Sequence, residues 1–248
     1  MEKRIKSDFE KTLKESLSRD ELVAKGENLK NFLIDGFPSK RLENWKFSDL
    51  NQIINNNIGE LNFYNSFIKK KSINNFNLID KFDHNKIIFL NGKIEKIDFN
   101  YEDKDQILIS DDYKAKINID KNSLLKLNNA FNNNNCLITI KSNYNLKKPL
   151  VIYHLINEEV KSTNVNLQLN FLLEKNSSLR IIDIFNNKSQ KNFINIFYNF
   201  DLKANSILKN YKIDKNNNNN IQYSFNNIQQ DINSISETFI LSSGSKFF

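Results

Sequence analysis

Two short stretches lying 29 residues apart, Leu173-Glu-Lys-Asn-Ser-Ser-Leu179 and Leu202-Lys-Ala-Asn-Ser-Ile-Leu208, constrain this chain more than any other feature. Each closes an apolar strand pattern and turns on an Asn-Ser pair. Each then opens a second strand, running on through Phe185 or Ile213. Turns recurring at a fixed spacing let each repeat stack on the one before it, burying a core that no single repeat could bury alone. The pattern therefore favours a β-solenoid. Leu241-Ser-Ser-Gly-Ser245 reads as a third, partial copy with Gly244 at the turn. Taken alone, a β-sandwich of short strands satisfies the same pattern.

The chain changes character near residue 60. Before it, Ile5, Phe9, Leu13 and Leu17 recur every four residues, the apolar face of an amphipathic helix. Ser18-Arg-Asp-Glu21 has capping-box spacing, predicting a second helix with Leu22, Leu29, Phe32 and Leu33 on its inner face. Gly36 and Pro38 end that helix, because Gly tolerates a left-handed cap and Pro cannot continue the hydrogen-bond ladder. After residue 60 the period is two. Strands are expected at Ile87–Gly92, Lys116–Asp120, Leu137–Ile140, Leu150–Ile156, Val165–Leu173, Leu179–Phe185 and Phe193–Phe200, with one short helical turn at Ser123–Phe131. The expected organisation is a helical region over 1–60 and a β-rich region over 61–248.

Composition excludes several classes of function. The net charge of +7 is spread thinly, with no fifty-residue block above +2. A nucleic-acid footprint is normally a patch or stripe, and Lys69-Lys70-Lys71 is the sole basic run. One cysteine, Cys136, rules out an intramolecular disulfide and suits a reducing compartment. No apolar run approaches a membrane span, and the charged N-terminus is unlike a signal peptide. These readings predict a cytoplasmic protein with neither nucleic acid nor membrane as partner. The 45 Asn residues read as loop filler from compositional bias, since Asn runs interrupt apolar segments rather than replace them.

The segment Gly36–Leu50 departs from this background, carrying the lone Trp and one of two prolines. Its Pro38, Arg41, Glu43, Trp45 and Lys46 resemble the P-x-x-R-x-E-x-W-K signature of the SufB/SufD family of iron–sulfur cluster assembly proteins. Leu127-Asn-Asn-Ala-Phe131 followed by Pro149-Leu-Val-Ile is similar to that family's entrance to its β-helix. The Leu173 and Leu202 turns are similar to its recurring turns. Tyr211–Asp214 resembles a Y-x-x-Q position with Asp214 in place of Gln, and Gly244 resembles a turn whose usual Arg would fall beyond Phe248. The short helical region and single Cys are more like SufD than SufB.

The resemblance implies a right-handed parallel β-helix, incomplete at its C-terminal end, behind a short helical region. It also implies a scaffold subunit acting with SufB-like and SufC-like partners. The chain itself would be no enzyme and would bind no cofactor stably, the cluster arising only within the assembly. Family members are longer, and the portion carrying their SufC-binding helices and Cys/His motif has no counterpart here, so the chain reads as truncated. The alternatives are a β-helix enzyme acting on polysaccharide, which the missing signal peptide disfavours, and a non-functional remnant of a SufD-like gene.

No residue stands out as catalytic or metal-binding. Cys136 heads an apolar strand and reads as a small buried hydrophobe. His84, expected in a polar loop, and His154, inside a strand, lie 70 residues apart without a ligand-spaced partner. Asp111-Asp112 and Glu158-Glu159 read as acidic turns, and no glycine-rich phosphate loop occurs. The Arg41–Lys46 cluster suits docking of the helical region on the β-core, with Arg41 stacked on Trp45, or else contact with a partner protein.

Overall fold

The computed structural model describes residues 1–13, 18–64, 73, 76–110, 122–132, 136–215 and 220–243, with backbone only for 215 and 243. The basic run at 69–71, the acidic pair at 111–112, the strand expected at 116–120, Leu17 and Gly244 lie outside those residues.

The chain folds as a β-solenoid of about three turns behind a short helical region. Strands β4 (Leu137–Ile140), β5 (Leu150–Ile156), β6 (Asn164–Leu173), β7 (Ser178–Asn187), β8 (Phe193–Leu202), β9 (Ile207–Lys215), β10 (Ile221–Gln230) and β11 (Ile235–Ser243) alternate between two sheets. One sheet holds β5, β7, β9 and β11, the other β4, β6, β8 and β10, and from β6 onward each strand runs parallel to the strand two before it. The repeat read from the sequence is the stacking distance. Leu173 pairs with Leu202 and Leu179 with Leu208. The third copy is not at Leu241, which pairs with Ile213, but at 230–236, since Gln230 pairs with Leu202 and Ser236 with Leu208.

Asparagine makes the turns. Asn143, Asn176, Asn205 and Asn233 all adopt left-handed backbone, with φ of 63°, 59°, 60° and 58°. Asn carries that conformation at less cost than a residue with a larger side chain. Its amide also reaches the next rung: Asn176 Nδ2 donates to Asn143 Oδ1 at 2.7 Å, and Asn205 Nδ2 to Asn176 Oδ1 at 3.0 Å. At the opposite turn the ladder is buried. Asn192 Oδ1 accepts from Thr163 N (2.9 Å), Asn192 Nδ2 donates to Val160 O (3.0 Å), and Asn220 Oδ1 accepts from Asn192 N (2.8 Å). Asparagine is therefore a stacking residue here, a correction to its reading as loop filler.

The first end of the solenoid is closed by antiparallel strands. β1 (Asn85–Leu90) pairs in parallel with β5 and antiparallel with β2 (Lys93–Asp98). Their hairpin turns on Asn91-Gly92, both at positive φ. A Cβ at Gly92 would meet Val165 Cγ1 at 2.9 Å, so the close approach also requires glycine. β3 (Ile107–Ser110) closes the other sheet by pairing antiparallel with β4.

Helices α1 (Glu2–Thr12), α2 (Arg19–Asp35), α3 (Leu50–Asn57) and α4 (Ser123–Phe131) form a layer on the outside of the β4–β10 sheet. The Ser18/Glu21 capping box is formed, and Gly36 closes α2 at φ 70°. α4 was expected only as a short turn. It is a buried nine-residue helix whose Leu124, Leu127 and Phe131 pack with Ile5, Phe32 and Ile54 of the helical region and with Phe193 of β8. Asn128 Nδ2 reaches the carbonyls of Leu167 (3.2 Å) and Asn195 (2.8 Å), and Asn195 Nδ2 returns a bond to Leu124 O (2.8 Å). The helices and the outer face of this sheet thus share an apolar cluster, separate from the one that fills the solenoid.

Candidate functional site inside the solenoid

Side chains alternate along a strand, so every second residue of the two sheets points into the solenoid. Most are aliphatic or aromatic, with Ile152, Ile181, Ile196, Phe200 and Leu208 all in one buried cluster. At one level the filling turns polar. His154 of β5, Asp183 of β7 and Tyr198 of β8 meet there, each 2% exposed or less. The imidazole is sandwiched between Phe89 and Phe185, its register partners on β1 and β7, at ring separations of 5.5 and 4.3 Å.

The Tyr198 hydroxyl donates to Asp183 Oδ1 at 2.7 Å, and His154 Nε2 lies 2.8 Å from the Tyr198 hydroxyl and 3.0 Å from Asp183 Oδ1. Both neighbours of Nε2 can accept, which places the imidazole proton on that nitrogen. One rung further on, Lys212 stands in register with Asp183, its ammonium 5.2 Å from the Phe185 ring, with Asp214 two residues beyond.

Burial governs the protonation of this cluster. It depresses the His154 pKa, against the opposing pull of the Asp183 hydrogen bond. It lifts the Tyr198 hydroxyl well above its ordinary value, helped by the Asp183 charge. Burial also lowers the Lys212 pKa and raises that of Asp214. Asp183 Oδ2, His154 Nδ1, Asn210 Oδ1 and Asp214 Oδ1 have no hydrogen-bond partner among the described residues. The arrangement holds protons and hydrogen bonds in an apolar sleeve. Among the described residues no group of His, Cys, Asp and Glu has the convergence to hold a metal ion.

The five motif residues sit elsewhere, between α2 and α3. Pro38 is buried and its carbonyl accepts from Leu50 N at 3.0 Å. Arg41 and Glu43 are exposed, and Lys46 pairs with Glu43 at 3.5 Å. Trp45 packs at the junction of helices and solenoid, its ring 5.9 Å from Tyr223 of β10. Tyr223, not Arg41, is the ring's neighbour, and its hydroxyl accepts from Asn122 at 3.1 Å.

Cys136 is buried ahead of β4, and its carbonyl accepts from Asn170 Nδ2. His84 is not in an exposed loop. It is buried against Tyr153, whose hydroxyl lies 2.8 Å from Nε2, while Nδ1 lies 2.9 Å from the Phe82 carbonyl. Glu158 and Glu159 are exposed beyond β5.

The second feature with functional potential is the far end of the solenoid. β10 and β11 are the last strands of their sheets among the described residues. Ile235 N donates to Ser206 O, so odd-numbered residues of β11 bond to β9 and even-numbered ones turn their N–H and C=O outward. Ile232, Ile235, Phe239, Ile240 and Leu241 are all exposed there. No helix among the described residues is long and apolar enough to cross a membrane. No family model matches the chain, and no curated protein matches it.

Proposed function

We propose that this chain is a scaffold subunit of iron–sulfur cluster assembly, similar to SufD and acting with SufB-like and SufC-like proteins. Its work is binding and positioning rather than turnover, with the cluster as cargo of the assembly. The observation carrying this reading is the pair of parallel edges, β10 and β11, the last strands of their sheets among the described residues, with apolar side chains around them. Such an edge is an aggregation hazard when left alone and a template for strand addition when a partner is present. A partner solenoid can continue both sheets at once. The resemblance of Pro38, Arg41, Glu43, Trp45 and Lys46, and of the later turns in the same order, supplies the identity of that partner. Co-expression with SufB-like and SufC-like proteins from the same source tests the proposal. Co-purification together with restored cluster formation in a SufD-deficient strain supports it, and failure of both refutes it.

A further inference from the structure

The segment ahead of β1 packs on the outer face of the sheet that holds β1 and β5. Phe76 is buried there in a cluster with Ile88, Leu90, Val151, Tyr153 and Leu155, and Leu78 packs against it. Apolar burial of this kind is non-directional and does not by itself fix a backbone in place. The polar fastening is sparse. Among the described residues, the backbone over 77–84 makes one hydrogen bond to the sheet, from Ile79 N to the Tyr153 hydroxyl at 3.2 Å.

That hydroxyl belongs to a chain of bonds whose directions are fixed. Ile79 N–H can only donate, so the Tyr153 oxygen accepts it. The Phe82 carbonyl, 2.9 Å from His84 Nδ1, can only accept, so Nδ1 carries the ring's hydrogen. In the neutral ring Nε2 is then the acceptor, and the Tyr153 hydroxyl, 2.8 Å away, donates to it. A proton added to His84 goes to Nε2. The Tyr153 oxygen then faces two donors, and its own hydrogen has no other partner among the described residues. Tyr153 is 1% exposed and His84 5%, so water does not replace the lost acceptor. The neighbouring carboxylates are engaged elsewhere. Asp83 is held by Lys148 Nζ and by the Tyr101 hydroxyl, both at 3.3 Å. Glu102 accepts from Asn85 Nδ2 at 2.6 Å and from the Tyr144 hydroxyl at 2.7 Å. Lys148 and Lys86, the latter at the start of β1, bring like charge and no acceptor.

We infer that the Ile79–Tyr153–His84 chain is a pH-sensitive latch: neutral His84 holds the 76–84 strap on the sheet, and protonated His84 releases it. Release uncovers Val151 and Tyr153, so acidification enlarges the apolar surface of this face. Histidine is the side chain suited to such a role, because it changes charge between about pH 5 and 8. The latch is separate from the interior His154 cluster and from the strand edges of β10 and β11, so it stands whether or not those edges pair with another solenoid.

Hydrogen exchange of the Ile79 amide in the full chain, corrected for the intrinsic rate at each pH, reads the latch. Protection is expected to fall about tenfold between about pH 7.5 and about pH 5.5, the scale set by one buried donor left unpaired. His84→Gln, which cannot titrate, should abolish that fall. Tyr153→Phe should leave protection low at both pH values. His154→Gln should keep the wild-type fall, separating the latch from the interior histidine. Imidazole nitrogen chemical shifts of the wild-type chain at the higher pH should show the His84 hydrogen on Nδ1, a reading that needs no variant to fold. Equal protection at both pH values, a fall that survives His84→Gln or vanishes in His154→Gln, or a neutral His84 protonated at Nε2 overturns the inference.

Discussion

Replacing Asn192 by Asp changes no volume and no packing, yet it should be among the more damaging single substitutions in the solenoid. Asn192 is fully buried at the turn between β7 and β8. Its Oδ1 accepts from Thr163 N, while its Nδ2 donates to Val160 O and to Ser189 Oγ at 2.6 Å. Aspartate keeps the first bond and loses both donors, setting an oxygen against the Val160 carbonyl. Each lost buried bond costs about 1–3 kcal/mol, so the substitution should cost roughly 4 kcal/mol. Against a typical total of about 5–15 kcal/mol that is a large fraction. In a chain of this size it lowers Tm by roughly 8–16 °C. Urea denaturation followed by circular dichroism measures it. Burial raises the new carboxyl's pKa, and protonation restores one donor, so the deficit should shrink on acidification. Asn205→Asp, in the exposed ladder, should cost less than about 1 kcal/mol because water replaces the lost partner. An Asn192→Asp variant within about 0.5 kcal/mol of wild type would refute the claim that the buried ladder holds the rungs in register.

Other consequences follow from the same geometry. Asn176→Ala, at φ 59°, should destabilise by about 1 kcal/mol through left-handed strain, and Asn176→Gly by less, read from paired denaturation midpoints. Trp45→Ala removes the ring that meets Tyr223 and should cost about 2–4 kcal/mol, with faster hydrogen exchange in β10 as the local readout. The depressed His154 pKa means the unfolded state takes up a proton first as pH falls below about 6.5. Stability should therefore decline on acidification from that point, and His154→Gln should flatten the decline in a pH series of melts. Asp214 shifts the opposite way: its raised pKa opposes folding once pH exceeds about 4, so Asp214→Asn should raise Tm at pH 7 and leave it unchanged at pH 3.

The rung spacing was legible because Leu173 and Leu202, and the Asn-Ser pairs that follow them, keep both apolar marker and turn residue in two successive copies. The third copy was misplaced for a physical reason. At 230–236 the marker leucines give way to Gln230 and Ser236, on strands that no further rung covers among the described residues. The neighbouring Leu-Ser-Ser-Gly-Ser imitates the lost pattern. The interior cluster was not legible, because His154, Asp183 and Tyr198 come together only once three rungs are in register across two sheets. In a linear reading Asp183 looks like an outward polar residue of an alternating strand. His84 misled similarly: its Asp-rich neighbours suggested solvent, while Tyr153 of a distant strand buries it. The helical caps at Ser18 and Gly36 were readable because they depend on residues three to four apart.

The most direct test of the scaffold reading is a proline at Thr238, whose N–H faces away from β9 at the solenoid's end. Proline there removes only an outward donor, which an edge strand tolerates, so β11 should keep its pairing and the chain its Tm. Co-purification with the SufB-like partner should fall to background in Thr238→Pro while wild type retains it. Undiminished recovery of that partner by a folded Thr238→Pro variant would contradict the proposed pairing through the β11 edge.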